Sequence, residues 1–160
     1  MIQRIQTLYL FLASVALAMM FFLPIYNYVE QVDGIEKDVK LTIQGKFEKP
    51  VGTENYVLTE PNWARSLMTM VIGMGLFVAI FQYSNRKRQL LLARLLIVAN
   101  FALMGLMLRA AYVVVNDEMV TQVITGYSVF MPTISIVLTA LAARNIKKDE
   151  ELVRSADRLR

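Results

Sequence analysis

Two arginines and an asparagine interrupt an otherwise apolar stretch of this chain: Arg94, Asn100 and Arg109. Charge is costly inside hydrocarbon, so residues of this kind either reach water or serve a site. The fourteen residues between the arginines rise about 21 Å as a helix, at about 1.5 Å each. That spacing lets the two guanidinium groups snorkel to opposite membrane interfaces. The alternative is a polar cavity in which they bind an anionic group. Asn100, between them, is expected to hydrogen-bond to a neighbouring helix. A shared cavity favours an enzyme or carrier handling a lipid or anionic ligand, whereas outward-pointing arginines favour a structural role.

Little other chemistry is available. The chain has no cysteine and no histidine. This excludes disulfides, thiolate metal sites and thiol catalysis. It also removes the commonest metal ligand, haem ligand and general base. All 13 carboxylates lie outside the apolar runs, which counts against a proton- or cation-coupled exporter. Asp33, Glu36 and Asp38 lack the spacing of a calcium loop. No phosphate loop, serine elbow or zinc-binding helix motif appears. No catalytic, metal or cofactor-binding residue is therefore assigned, and no enzymatic activity is expected. The net charge of +4 does not point to nucleic acid, because basic residues collect at cytoplasmic membrane edges.

The elements that must position these residues are four apolar runs: Ile5–Tyr26, Ser66–Tyr83, Leu90–Val115 and Ile124–Ala143. Each comes near the roughly 20 residues a helix needs to cross a bilayer. The expected fold is all-α: a four-transmembrane-helix bundle in a single membrane domain over residues 1–160. The first run is read as an anchor rather than a cleaved signal, since it continues beyond Ala16-Leu17-Ala18. Arg4, Arg86–Arg88 and the basic tail face four lysines in the first outer loop, Lys37, Lys40, Lys46 and Lys49. This bias puts both termini in the cytoplasm.

Residues 27–62 read as a small antiparallel β meander in the first outer loop. Val39, Leu41 and Ile43 alternate with polar neighbours, and Asp33-Gly34 is a turn pair. Trp63 and Arg65 are read as interface anchors at the start of the second run. Pro132 is expected to kink the fourth. Residues 144–160 form a charged helical tail with an apolar stripe of Leu152, Ala156 and Leu159. With Arg86, Lys87, Arg88, Arg154 and Arg158, that stripe makes the candidate surface for a protein partner.

The opening Met-Ile-Gln-Arg-Ile-Gln-Thr-Leu-Tyr-Leu, the turn Asn85-Arg86-Lys87-Arg88-Gln89 and the tail from Ile146 to Arg160 resemble an uncharacterised family of small bacterial membrane proteins. The resemblance covers the whole chain and implies four spans and the inner membrane of a two-membrane bacterium. The layout is also similar to claudin-type proteins, whose paired loop cysteines are missing here. The expectation is a non-enzymatic scaffold or accessory subunit of a larger membrane complex. It would contact membrane lipids and a protein partner, without a cofactor.

Overall fold

The structure, a computed structural model, describes residues 2–32, 34–50 and 52–158. Four helices are present: α1 (Ile2–Met19), α2 (Trp63–Phe81), α3 (Arg86–Val115) and α4 (Met131–Arg158). Five strands accompany them: β1 (Tyr26–Val32), β2 (Ile35–Leu41), β3 (Gly45–Glu48), β4 (Val57–Pro61) and β5 (Val120–Thr125).

Local chemistry sets most boundaries. A short run of i→i−3 bonds closes α1 before Pro24, which cannot extend a helix. Asn62 caps α2, its side-chain oxygen accepting from the Arg65 amide at 3.0 Å. Asn85 caps α3 through the Arg88 amide at 3.2 Å. Pro132 is the second residue of α4, where its missing N–H costs nothing. The expected kink within the fourth run is therefore replaced by a helix start.

The strands form one antiparallel sheet in the order β4-β3-β2-β1-β5. The hairpin β1–β2 turns at Gly34, whose φ of 79° suits glycine. The sheet directs two cross-strand rows inward, Tyr26–Leu41–Lys46 and Tyr28–Val39–Glu48. Tyr26, Tyr28, Val39, Leu41 and Ile43 are buried there, in one apolar cluster with Leu17, Leu76 and Leu103 of the helices. Because β1 follows α1, β4 precedes α2 and β5 joins α3 to α4, the sheet covers one end of the helical layer. α1 packs against α2 and α4, and α3 against the same two.

The expected all-α, four-span bundle with a small meander is not what forms. The sheet has five strands, and the last two residues of β5, Ile124 and Thr125, are ones read as the start of a fourth span. Among the described residues three helical stretches are long and apolar enough to cross a membrane: Trp63–Ser84, Arg86–Val115 and Tyr127–Val153. Ile5–Met19 is a shorter apolar helix. Two causes explain the difference. Pro24 cuts the first run short. Val120, Thr121, Val123, Ile124 and Thr125 are β-branched, and a short apolar run of that kind suits a strand as well as a helix start.

The outer faces of the helices are apolar. Phe11, Leu67, Val71, Val98 and Val137 all lie exposed there, a surface suited to hydrocarbon rather than water. Polar groups within the helical layer are mostly paired. Asn100 donates to Ser135 Oγ at 3.2 Å, Thr139 to the Ser135 carbonyl at 2.7 Å and Gln89 to the Ala79 carbonyl at 2.9 Å. At the end away from the sheet, Gln6 donates to the Asp149 carboxylate, and Arg86 to the Asp149 carbonyl at 2.9 Å.

The corner between β5 and α4 gives a stringent test of this docking. A Cβ on Gly126 would sit 2.1 Å from the Pro24 carbonyl oxygen, whereas one on Gly105 in α3 would meet open space. Gly126→Ala is expected to cost about 2 kcal/mol or more. Gly105→Ala should be neutral or gain up to about 1 kcal/mol. Thermal unfolding of both variants in one detergent separates them; equal midpoints would refute the docked corner.

Candidate functional site

Arg65 is the third residue of α2. It lies at the head of the buried stripe Arg65, Thr69, Ile72, Leu76, Ala79, so helical spacing turns it inward with the core. The start of α2 is held to the sheet by two bonds. The Asn62 amide donates to the Gln44 carbonyl at 2.7 Å, and Ser66 Oγ to the Ile43 carbonyl at 3.1 Å. Arg65 is consequently only 6% exposed. Its Nε has no hydrogen-bond partner, and among the described residues no carboxylate forms an ion pair with it.

A guanidinium stays protonated in proteins, and a buried charge without a partner is costly. The amino end of α2 adds positive potential to the same place. Beside Arg65 opens a cavity of about 630 Å³ between the sheet and the facing walls of α2 and α3. Arg109 borders it from α3, Tyr28 and Lys46 from the sheet, and Asp117 from the turn before β5.

The two cations nearest the sheet are not equivalent. Lys46 Nζ lies 2.7 Å from Glu30 and 3.2 Å from Glu48. Burial opposes its charge, but hydrogen bonds to those two carboxylates more than offset this and hold the ammonium above the usual lysine range. Burial pushes the Tyr28 phenol up, with Lys46 partly countering it. Both groups thus keep one protonation state through neutral pH. Lys46 is already neutralised by its carboxylates, whereas Arg65 and Arg109 have no ion pair among the described residues, although Glu60 and Asp117 line the same pocket.

The residues singled out in sequence are scattered. Arg94 and Arg109 are both exposed, while Asn100 is fully buried and bonded to Ser135. The three share no cavity, but Arg109 joins Arg65 at the sheet end. Trp63 is 77% exposed and suits an interface anchor, whereas Arg65, assigned the same role, is buried in the pocket wall. Lys87, Arg88 and Leu152 are exposed, and Arg86 is engaged with the Asp149 carbonyl. The side chains of Arg154, Ala156 and Arg158, and all of Leu159, lie outside the described residues. The sequence did carry a signal for Arg65. Its spacing of four, three, four and three to Thr69, Ile72, Leu76 and Ala79 places it on the core stripe.

Fold and site together define an α+β protein with an apolar helical layer, a sheet over one end and, at their junction, a charged pocket that holds a buried, unpaired arginine. The family model for the domain of unknown function DUF4293 matches residues 2–159, and the chain belongs to that uncharacterised family. No curated protein and no solved structure matches it.

Removing the Lys46 ammonium tests the pocket's charge balance. Lys46→Met leaves Glu30 and Glu48 without their cation, and a loss of about 2–3 kcal/mol is expected. A lysine raised on folding contributes stability that is fully present below its unfolded value and lost only as pH rises through the folded one. The difference between wild type and variant should therefore stay constant from about pH 7 to about pH 9. Unfolding midpoints at several pH values check this, and a difference that vanishes within that window contradicts the pairing.

Proposed function

We propose that this chain is a non-enzymatic accessory protein of the bacterial inner membrane that holds an anionic ligand in the junction pocket. One observation carries the reading: Arg65 is buried, unpaired among the described residues and set against an open cavity that Arg109 also borders. Glu60 and Asp117 share the pocket lining without pairing with Arg65, and a bound oxyanion gives the guanidinium the direct hydrogen-bonded partner it lacks among the described residues; its planar fork suits a carboxylate or phosphate. The non-catalytic part of the reading is supported by Tyr28 and Lys46, which bind and position but do not exchange protons near neutral pH.

Membrane residence is supported by the three long apolar helices and the apolar outward faces of all four. Orientation is supported by charge. Arg86–Arg88, Arg144, Lys147 and Lys148 cluster at the end away from the sheet. The positive-inside bias then puts that end and both termini in the cytoplasm, and the sheet on the outer side. Partner binding follows as the accessory role, through the exposed Lys87, Arg88 and Leu152 at the cytoplasmic end.

Two experiments bear on this. The chain lacks cysteine, so single cysteines at the exposed positions Glu54 and Lys148 report sidedness. An impermeant thiol reagent on intact spheroplasts should label position 54 and spare 148; the reverse pattern overturns the orientation. For the ligand, wild type purified in a neutral detergent should release an anionic species on denaturation. Arg65→Gln should retain about tenfold less, as one charge-assisted bond is lost. Equal recovery from the two proteins refutes the site.

A further inference from the structure

The junction pocket combines charged groups with an apolar wall. Its α3 wall runs from Leu106 to Val114, eight steps that rise about 12 Å. Lys46, Glu60, Asn62, Arg65 and Asp117 gather toward the sheet, and Arg109 stands on the α3 wall with Ala110 and Val113 on its sheet side and Leu106 beyond it. Val113 is itself 59% exposed on the apolar outer surface, so the pocket opens sideways between α2 and α3. Further from the sheet the seam is narrow: a Cβ on Gly75 of α2 would lie 2.7 Å from a Leu96 methyl of α3.

A small soluble anion would use Arg65 and Arg109 but has no need of the apolar wall or the sideways mouth. An amphiphile uses all three features. We propose, building on the anionic-ligand reading above, that the pocket takes an anionic phospholipid from the surrounding bilayer. Its phosphate sits beside Arg65 and Arg109, where a planar guanidinium meets two phosphate oxygens at once. One acyl chain passes Ala110 and Leu106 and leads away from the sheet, having entered between α2 and α3. The chain closes the lateral mouth, and the phosphate pairs with the buried guanidinium.

The test uses the full chain in a neutral detergent, with phosphatidylglycerol and inorganic phosphate as separate probes. Native mass spectrometry should show one phosphatidylglycerol on wild type. The bound fraction should fall about tenfold in Arg65→Gln and by several-fold in Arg109→Gln. Arg109 is exposed, so the second variant keeps the test valid should the first fail to fold. Ala110→Phe fills the apolar wall and leaves the cations untouched; it should block the lipid while leaving any stabilisation by phosphate intact. If phosphatidylglycerol binds equally well to Ala110→Phe, the acyl-chain path is overturned. Should inorganic phosphate stabilise wild type, with dependence on Arg65, while the lipid does not bind, the anion site stands and its lipid ligand is overturned. If neither probe distinguishes wild type from the arginine variants, both fail.

Discussion

The pairing of β5 with β1 is the contact on which the rest of this architecture depends. Each strand is joined directly or through a short turn to a helix or another strand, so sheet register sets the positions of helix ends. β1 carries the chain out of α1, and β5 carries it from α3 into α4. Their pairing, continued by the Gly126 amide donating to the Ile25 carbonyl at 2.8 Å, brings two distant crossovers to one corner. A hairpin alone is marginal in water. Five hydrogen-bonded strands, with β1 and β2 burying Tyr26, Tyr28, Val39 and Leu41 on the helix ends, form a stable layer, and α2 is tied to the same layer through Asn62 and Ser66.

That docking creates the pocket as a by-product of geometry. A sheet laid across helix ends cannot follow every groove between them. The space remains where α2 and α3 stand apart, with their close approach deferred to Gly75 and Leu96. Into this space the fold turns Arg65 rather than the leucine that most core stripes would present. Retaining a buried guanidinium without an ion pair opposes folding. A charge kept at such a position belongs to recognition, which is why the site is read from Arg65 and not from the more numerous surface bases.

The opposite end is held by other means. There Gln6 reaches the Asp149 carboxylate and Arg86 the Asp149 carbonyl, joining α1, α3 and α4 through polar contacts. Gln89 ties α3 to the last turn of α2 at the Ala79 carbonyl. Small residues, Ala93 and Ala143, pack with Leu90 and Ile146 beside this network. The helical layer is thus clamped by a sheet at one end and by side-chain amides and a carboxylate at the other.

Much of this is local and was therefore legible from residue types. The long apolar helices, the hairpin turning at Gly34 and the inward row through Val39 and Leu41 all follow from short-range periodicity and turn chemistry. Membership of an uncharacterised family was legible too, from the two ends of the chain. Tertiary structure decided what depends on distant partners. Val120–Thr125 is apolar and β-branched, and only the free edge of β1, some ninety positions earlier, makes it a strand. Pro132 reads as a kink until the strand before it moves the helix start to Met131. Arg65 looks like an interface anchor until the docked sheet covers it, because burial of a first-turn residue is set by what lies over the helix end. Arg94, Asn100 and Arg109 share a helix, yet their angular positions and the neighbouring walls send them to three different surroundings. Sequence supplies the local elements and their periodicity, and only the closing of the sheet over the helices determines which charge has nowhere else to go.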